Sequence, residues 1–133
     1  MTAKANKVTA IKPFRLSSLR PKTYRLQIEV PGHPEVDLWI DMVGAESKEY
    51  ALTAAGLYRG RGDQTDKDIS VEQAMHESAV LSASLIKGWG PEESFEKPYS
   101  TEAAIELMGD FDYKWLKAQV DEAASERSHF FGN

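Results

Sequence analysis

The chain has 133 residues, 41% of them hydrophobic and 28% charged, with no cysteine and a net charge of −5 at pH 7. That length suits one domain with a real core. The composition excludes disulfides, thiolate metal sites and a cysteine nucleophile, and no apolar run nears the roughly 20 residues of a membrane span.

The charge is split along the chain. Residues 1–25 carry seven basic side chains and no acidic one, a charge of +7, while the remainder carries nine basic against 21 acidic, a charge of −12. Residues 1–22 therefore read as a basic, partly flexible arm, and 23–133 as a single domain. Such an arm admits contact with nucleic acid, with an acidic partner or with a neighbouring copy, and equally the state of a solvated tail. The basic N-terminus lacks the apolar stretch of about 7–15 residues of a secretory signal, so a cytoplasmic protein is expected.

"FRLSSL" reads as a short strand or a turn before Pro21. "TYRLQIEV" then alternates, with Tyr24, Leu26, Ile28 and Val30 on one face. After the breaker "PGHP", "EVDLWIDMV" alternates again, with Val36, Leu38, Ile40 and Met42 against Asp37, Trp39 and Asp41. The two runs predict an antiparallel hairpin over 23–43. A lone hairpin is marginal in water, so its apolar face should pack on helices.

Four helices are predicted beyond it, giving an α+β, mainly α-helical fold. The first spans about 47–58, capped by Ser47, with Tyr50, Leu52, Ala54 and Leu57 facing the hairpin and Gly56 as a weak point. "RGRGDQTDKD" (59–68) is a polar, mobile loop. The second helix covers about 70–87, opened by a Ser70–Gln73 capping box and closed by Gly88 at the left-handed position after it. Ser100 caps a third at 100–108, and Asp112 a fourth at 113–128.

Catalytic motifs are missing from this sequence. The three histidines, His33, His76 and His129, are scattered, and "HES" (76–78) lacks the second His of a zinc helix. No glycine-rich phosphate cradle appears, and no G-x-S-x-G elbow surrounds Ser78, Ser82 or Ser84. "GRGD" (60–63) is best read as turn residues. Asp110 and Asp112 sit where helix caps belong. No enzyme, cofactor or metal is expected. The aromatics say more. Trp39 stands on the polar face of its strand, Trp89 follows a glycine, and Phe130 and Phe131 lie near the chain end. Large apolar groups left facing water mark partner surfaces. For Trp39 and Trp89, closing over the edge of the core is an equal alternative.

The stretch "LIKGWG…EKPYSTEAAIELMGDFDYKWLKAQVDEAASERSHFF" (85–131) resembles the tail assembly chaperones of long-tailed bacteriophages with non-contractile tails, the lambda G-protein type. The shared plan is Gly88-Trp89, a loop with Pro98, the helix Ser100 to Met108, Phe111, the helix Trp115 to Glu126, and the tail Arg127 to Phe131. "YRLQIEVPGHPEVDLWIDMVGAESKEY" (24–50) is similar to that family's opening. The resemblance implies a non-enzymatic chaperone of the host cell cytoplasm. It would bind the tape measure protein, a long helical apolar chain, and keep it soluble until tail tube subunits polymerise around it. It would not be retained in the virion. Self-association is implied, as is a C-terminally extended frameshift product that would contact the tail tube protein. Trp39, Trp89, Phe111, Trp115, Phe130 and Phe131 are then the partner-binding candidates. A structural tail-completion or head–tail connector protein is the alternative. A nucleic-acid adaptor fits the net charge poorly, and no membrane partner is expected.

Overall fold

The alternating runs pair as strands in the computed structural model, which describes residues 13–131. Expectations for residues 1–12 of the basic arm, and for 132–133, lie outside the described residues. Strand β1 (Tyr24–Ile28) runs antiparallel to β2 (Leu38–Met42), with Tyr24 opposite Met42, Leu26 opposite Ile40 and Ile28 opposite Leu38. Period-two alternation therefore puts these six apolar side chains on one face. The connection opens with a turn at Val30–His33, where the His33 amide donates to the Val30 carbonyl at 3.0 Å. Pro31 and Gly32 (φ 77°) occupy the two central positions that such a turn favours. Val36, expected inside the second strand, sits in this connection and is exposed.

A third strand joins the hairpin. The sheet has the order β1-β2-β3, with β3 (Ile86–Gly90) antiparallel to β2. Trp39 faces Gly90, Ile40 faces Trp89, and Asp41 faces Gly88; an irregularity follows before Met42 meets Ile86. The expected helix over 70–87 ends at Ser84, and Gly88, expected as its cap, lies within the strand. The two glycines serve the sheet's outer face. A side chain at Gly90 would collide with the Trp39 ring, so glycine is what lets that ring lie flat on β3. The Arg25 guanidinium covers the ring at 4.9 Å and is itself held by Asp41 at 2.8 and 3.1 Å.

Helices cover the inner face. They are α1 (Lys48–Gly60), α2 (Val71–Ser84), α3 (Glu92–Phe95), α4 (Thr101–Met108), α5 (Lys114–Ala124) and α6 (Ser128–Phe131). The architecture among the described residues is thus α+β and mainly helical. Ser47, Ser70 and Ser100 cap α1, α2 and α4, accepting the amides of Tyr50, Gln73 and Ala103 at 3.0–3.2 Å. Gln73 does not return the bond; its side chain reaches Gln64 and Glu77. The reciprocal box lies instead at Thr65 and Asp68, which orders the expected mobile loop. Asp110, not Asp112, caps the turn Phe111–Tyr113 that leads into α5.

The core joins Ile28, Ile40, Met42, Leu85, Ile86, Met108, Leu116 and Val120 to a set of alanines. Ala79 lies where α2 meets the end of α4, and small residues there let the helices approach. Ser82 is buried as well, but it also ties α2 to α5, donating to Asp121 at 2.6 Å. Gln119 of α5 docks on the end of β1, exchanging hydrogen bonds of 2.9 Å with the backbone of Glu29. The expected helix over 113–128 breaks after Ala124, whose carbonyl accepts the Ala45 amide at 3.0 Å. The turn that follows is pinned by Arg127 on Glu46 at 2.7 and 2.8 Å.

Two glycines should respond in opposite directions. Gly56 lies in the exposed interior of α1 with open space around it, so Gly56→Ala should stabilise the protein by about 1 kcal/mol. Gly90→Ala should destabilise it by about 1–3 kcal/mol by forcing the Trp39 ring off the sheet. Urea unfolding midpoints of both variants check this; a Gly90→Ala protein as stable as wild type would refute the close-approach account.

Candidate partner-binding surface

Helix α1 decides where the surface is, because none of its residues is fully buried. It packs mainly on α2 rather than on the hairpin. Glu49, Tyr50, Thr53, Ala54 and Leu57 turn inward and are half-buried. Leu52, expected on that inward stripe, points out and is 61% exposed; Tyr58 is 75% exposed. Ala51 and Ala55 share this outer face, between Lys48 and Arg59. An apolar helix face is thus left to solvent.

Beside it runs a groove of about 350 Å³ between α1, α2 and α4. Leu52 and Thr53 form one wall, Val80 and Ala83 another, and Thr101 and Ile105 the third, with Ile86 and Tyr99 at the base. The Tyr99 hydroxyl is tied to the Ile86 carbonyl at 2.7 Å, which fixes its ring there. Two ion pairs hold α1 against its neighbours. Lys87 of β3 reaches Glu49 at 3.3 Å. Arg61, just past α1, binds Glu77 of α2 at 2.6 and 3.3 Å and Asp66 at 2.8 Å. Arg61 is therefore engaged within the chain, which leaves the "GRGD" stretch no free arginine. The Arg61 guanidinium, seconded by the Gln73 amide, holds the Glu77 carboxyl below its ordinary value. Glu49 is lowered too, first by its own backbone amide and then by Lys87.

A second depression, of about 200 Å³, lies on the far side of α4. Its walls are Trp89, Phe95, Leu107 and Tyr113, and its rim carries Glu96, Lys97, Glu106 and Asp110. Trp89 stacks on Phe95 (4.8 Å between centroids) and meets Tyr99 edge-on at 5.4 Å. Its indole N–H donates to the Lys97 carbonyl at 3.1 Å.

The six residues singled out from sequence are not brought together. Trp39 lies half-buried on the outer sheet face, and Trp89 is half-buried on the inner one. Trp115 is half-buried beside Tyr113. Phe111 stands 63% exposed in the turn before α5. Phe130 corrects the expectation for the chain end. It is 3% exposed, and a side chain at Gly44 would meet its ring at 2.8 Å. Its carbonyl accepts the Lys22 amide at 2.8 Å. Phe131 is half-buried against the core. Leu52 and Tyr58, the most exposed apolar residues of α1, were not among the six. Leu52 was placed inward by its helical period, and no signal marked Tyr58. No known protein-family model, characterised protein or solved structure matches this chain.

The Arg61–Glu77 clamp should give stability a pH signature. Because folding lowers the Glu77 value, its contribution is complete above the unfolded value of about 4.3 and fades as pH falls through the lower folded value. Glu77→Gln should therefore lower the melting temperature at pH 7 and match wild type near pH 2. Parallel thermal melts across that range decide it; a gap that persists undiminished at pH 2 would mean that ionisation of Glu77 is not the cause.

Proposed function

We propose that this chain is a tail assembly chaperone of a long-tailed bacteriophage. It binds the tape measure protein in the host cytoplasm and keeps it soluble until the tail tube closes around it. The family resemblance over residues 24–50 and 85–131 supports this reading. The observation that carries it furthest is the apolar groove between α1, α2 and α4, continued by the outer face of α1. Such a surface suits an amphipathic client helix, whose apolar anchors at successive turns would enter the groove. The −12 charge of residues 26–133 favours a client segment with basic flanks.

The work asked of such a protein is burial. Each apolar square ångström taken from water contributes about 25 cal/mol, so covering a client's apolar stripe lowers its tendency to aggregate without any bond being made. A chaperone leaves the particle, whereas a tail-completion or connector protein stays in it. Mass spectrometry of purified virions separates the two.

Co-expression with the tape measure polypeptide tests the client. Wild type should carry it into the soluble fraction. The double variant Leu52→Glu and Tyr58→Glu, both at exposed positions, should leave at least about tenfold more of it in the pellet, since two buried charges oppose docking. Equal rescue by that variant would move the docking site elsewhere. A client that pellets with wild type at every stoichiometry would end the chaperone reading.

A further inference from the structure

The basic arm and the aromatic depression beside α4 are complementary, and neither has a use in the structure so far described. Every residue from Pro13 to Thr23 is exposed. Three of them are large and apolar: Phe14 at 68%, Leu16 at 82% and Leu19 at 49% exposure. Arg15, Arg20 and Lys22 alternate with them, and no carboxylate lies in the segment. Water-facing Phe and Leu within a positively charged segment describe a peptide waiting for an apolar, acidic seat.

The depression beside α4 has that chemistry. Its walls are aromatic, and its rim sets Glu96, Glu106 and Asp110 against Lys97 alone, which is itself paired with Glu106. Phe111 and Asp112, both exposed, lie beyond the rim, with the Lys114 ammonium 5.5 Å from the Phe111 ring centre. The arm leaves the body at the β1 edge, where the Lys22 amide bonds the Phe130 carbonyl. The depression includes Trp89 of β3, at the opposite edge of the sheet.

The geometry points to a second copy of this chain as the occupant: the segment Pro13–Lys22 of one copy seats in the depression beside α4 of the next. An apolar arm residue covers the Trp89–Phe95 walls, and the arm's cations meet the rim carboxylates. Because arm and seat occupy different surfaces, the contact either repeats head-to-tail, giving a ring or a growing chain, or closes as a reciprocal exchange of arms across a two-fold axis. The association weakens with salt, as contacts between opposite charges do.

Sedimentation velocity of the full chain tests this without any client, so its failure leaves the chaperone reading standing, and the converse also holds. Wild type should associate. Arg15→Glu with Arg20→Glu, or Glu106→Lys alone, should each weaken association at least about tenfold. The Glu106 side chain is 74% exposed, so its reversal spares the core, which circular dichroism verifies. An equimolar mixture of the two variants should associate again, because each then finds its opposite charge. A monomeric wild type, a reversed variant that associates as wild type does, or a mixture that stays dissociated would each overturn the arm-in-seat contact.

Discussion

The fold depends on keeping water from strand β2. Ile40 and Met42 are completely buried, and they can be so only if both neighbouring strands and a helical layer close around them. Strand β1 supplies Leu26 and Tyr24 alongside, β3 supplies Trp89 and Ile86, and the helices supply Leu116, Val120 and Met108. Burying a side chain of this size contributes roughly 1.5–3 kcal/mol, comparable with a good part of a domain's net stability. Among the described residues, the large cover on the sheet's outer face is the Trp39 ring under Arg25, and that cover fits because β3 carries glycine opposite it.

The same constraint explains the chain end. Having run α5 along the sheet, the chain must stop at Ala124 to avoid leaving the last core position open. The break lets Phe130 turn back over Gly44 and Tyr24, the latter at 5.9 Å and edge-on. His129 stacks on the Tyr24 ring at 4.0 Å in the same movement. A terminal segment that looks spare in sequence thus becomes part of the interior.

Local signals carried far in this sequence. Period-two alternation located β1 and β2, and serines located three helix starts, because both depend on neighbours within a few residues. Strand β3 was hidden by its own irregularity. Ile86 and Trp89 are three apart and yet share the inner face, since the register slips between Asp41 and Met42. That spacing imitates a helix and extends the apparent period of α2. Phe130 was misplaced because its burial depends on Gly44, a partner far away in sequence. The surface beside α1 was concealed for a similar reason. Leu52 fits an amphipathic stripe that should face the hairpin, but α1 packs mainly on α2, and the half-turn that carries Leu52 points to solvent. The Arg61–Glu77 bond, which joins a loop to a helix 16 residues on, is likewise invisible to any periodic reading.

A helix that buries no residue fully is a loosely attached one. The free energy needed to lift α1 from the body is set by half-covered side chains and two ion pairs rather than by the core. Its amides should therefore exchange with solvent by a detachment that leaves the sheet and α5 closed. Each such excursion swings away the groove's Leu52 and Thr53 wall and bares Val80 and Ala83 of α2, so the trough beside α4 stands open on one side whenever α1 lifts.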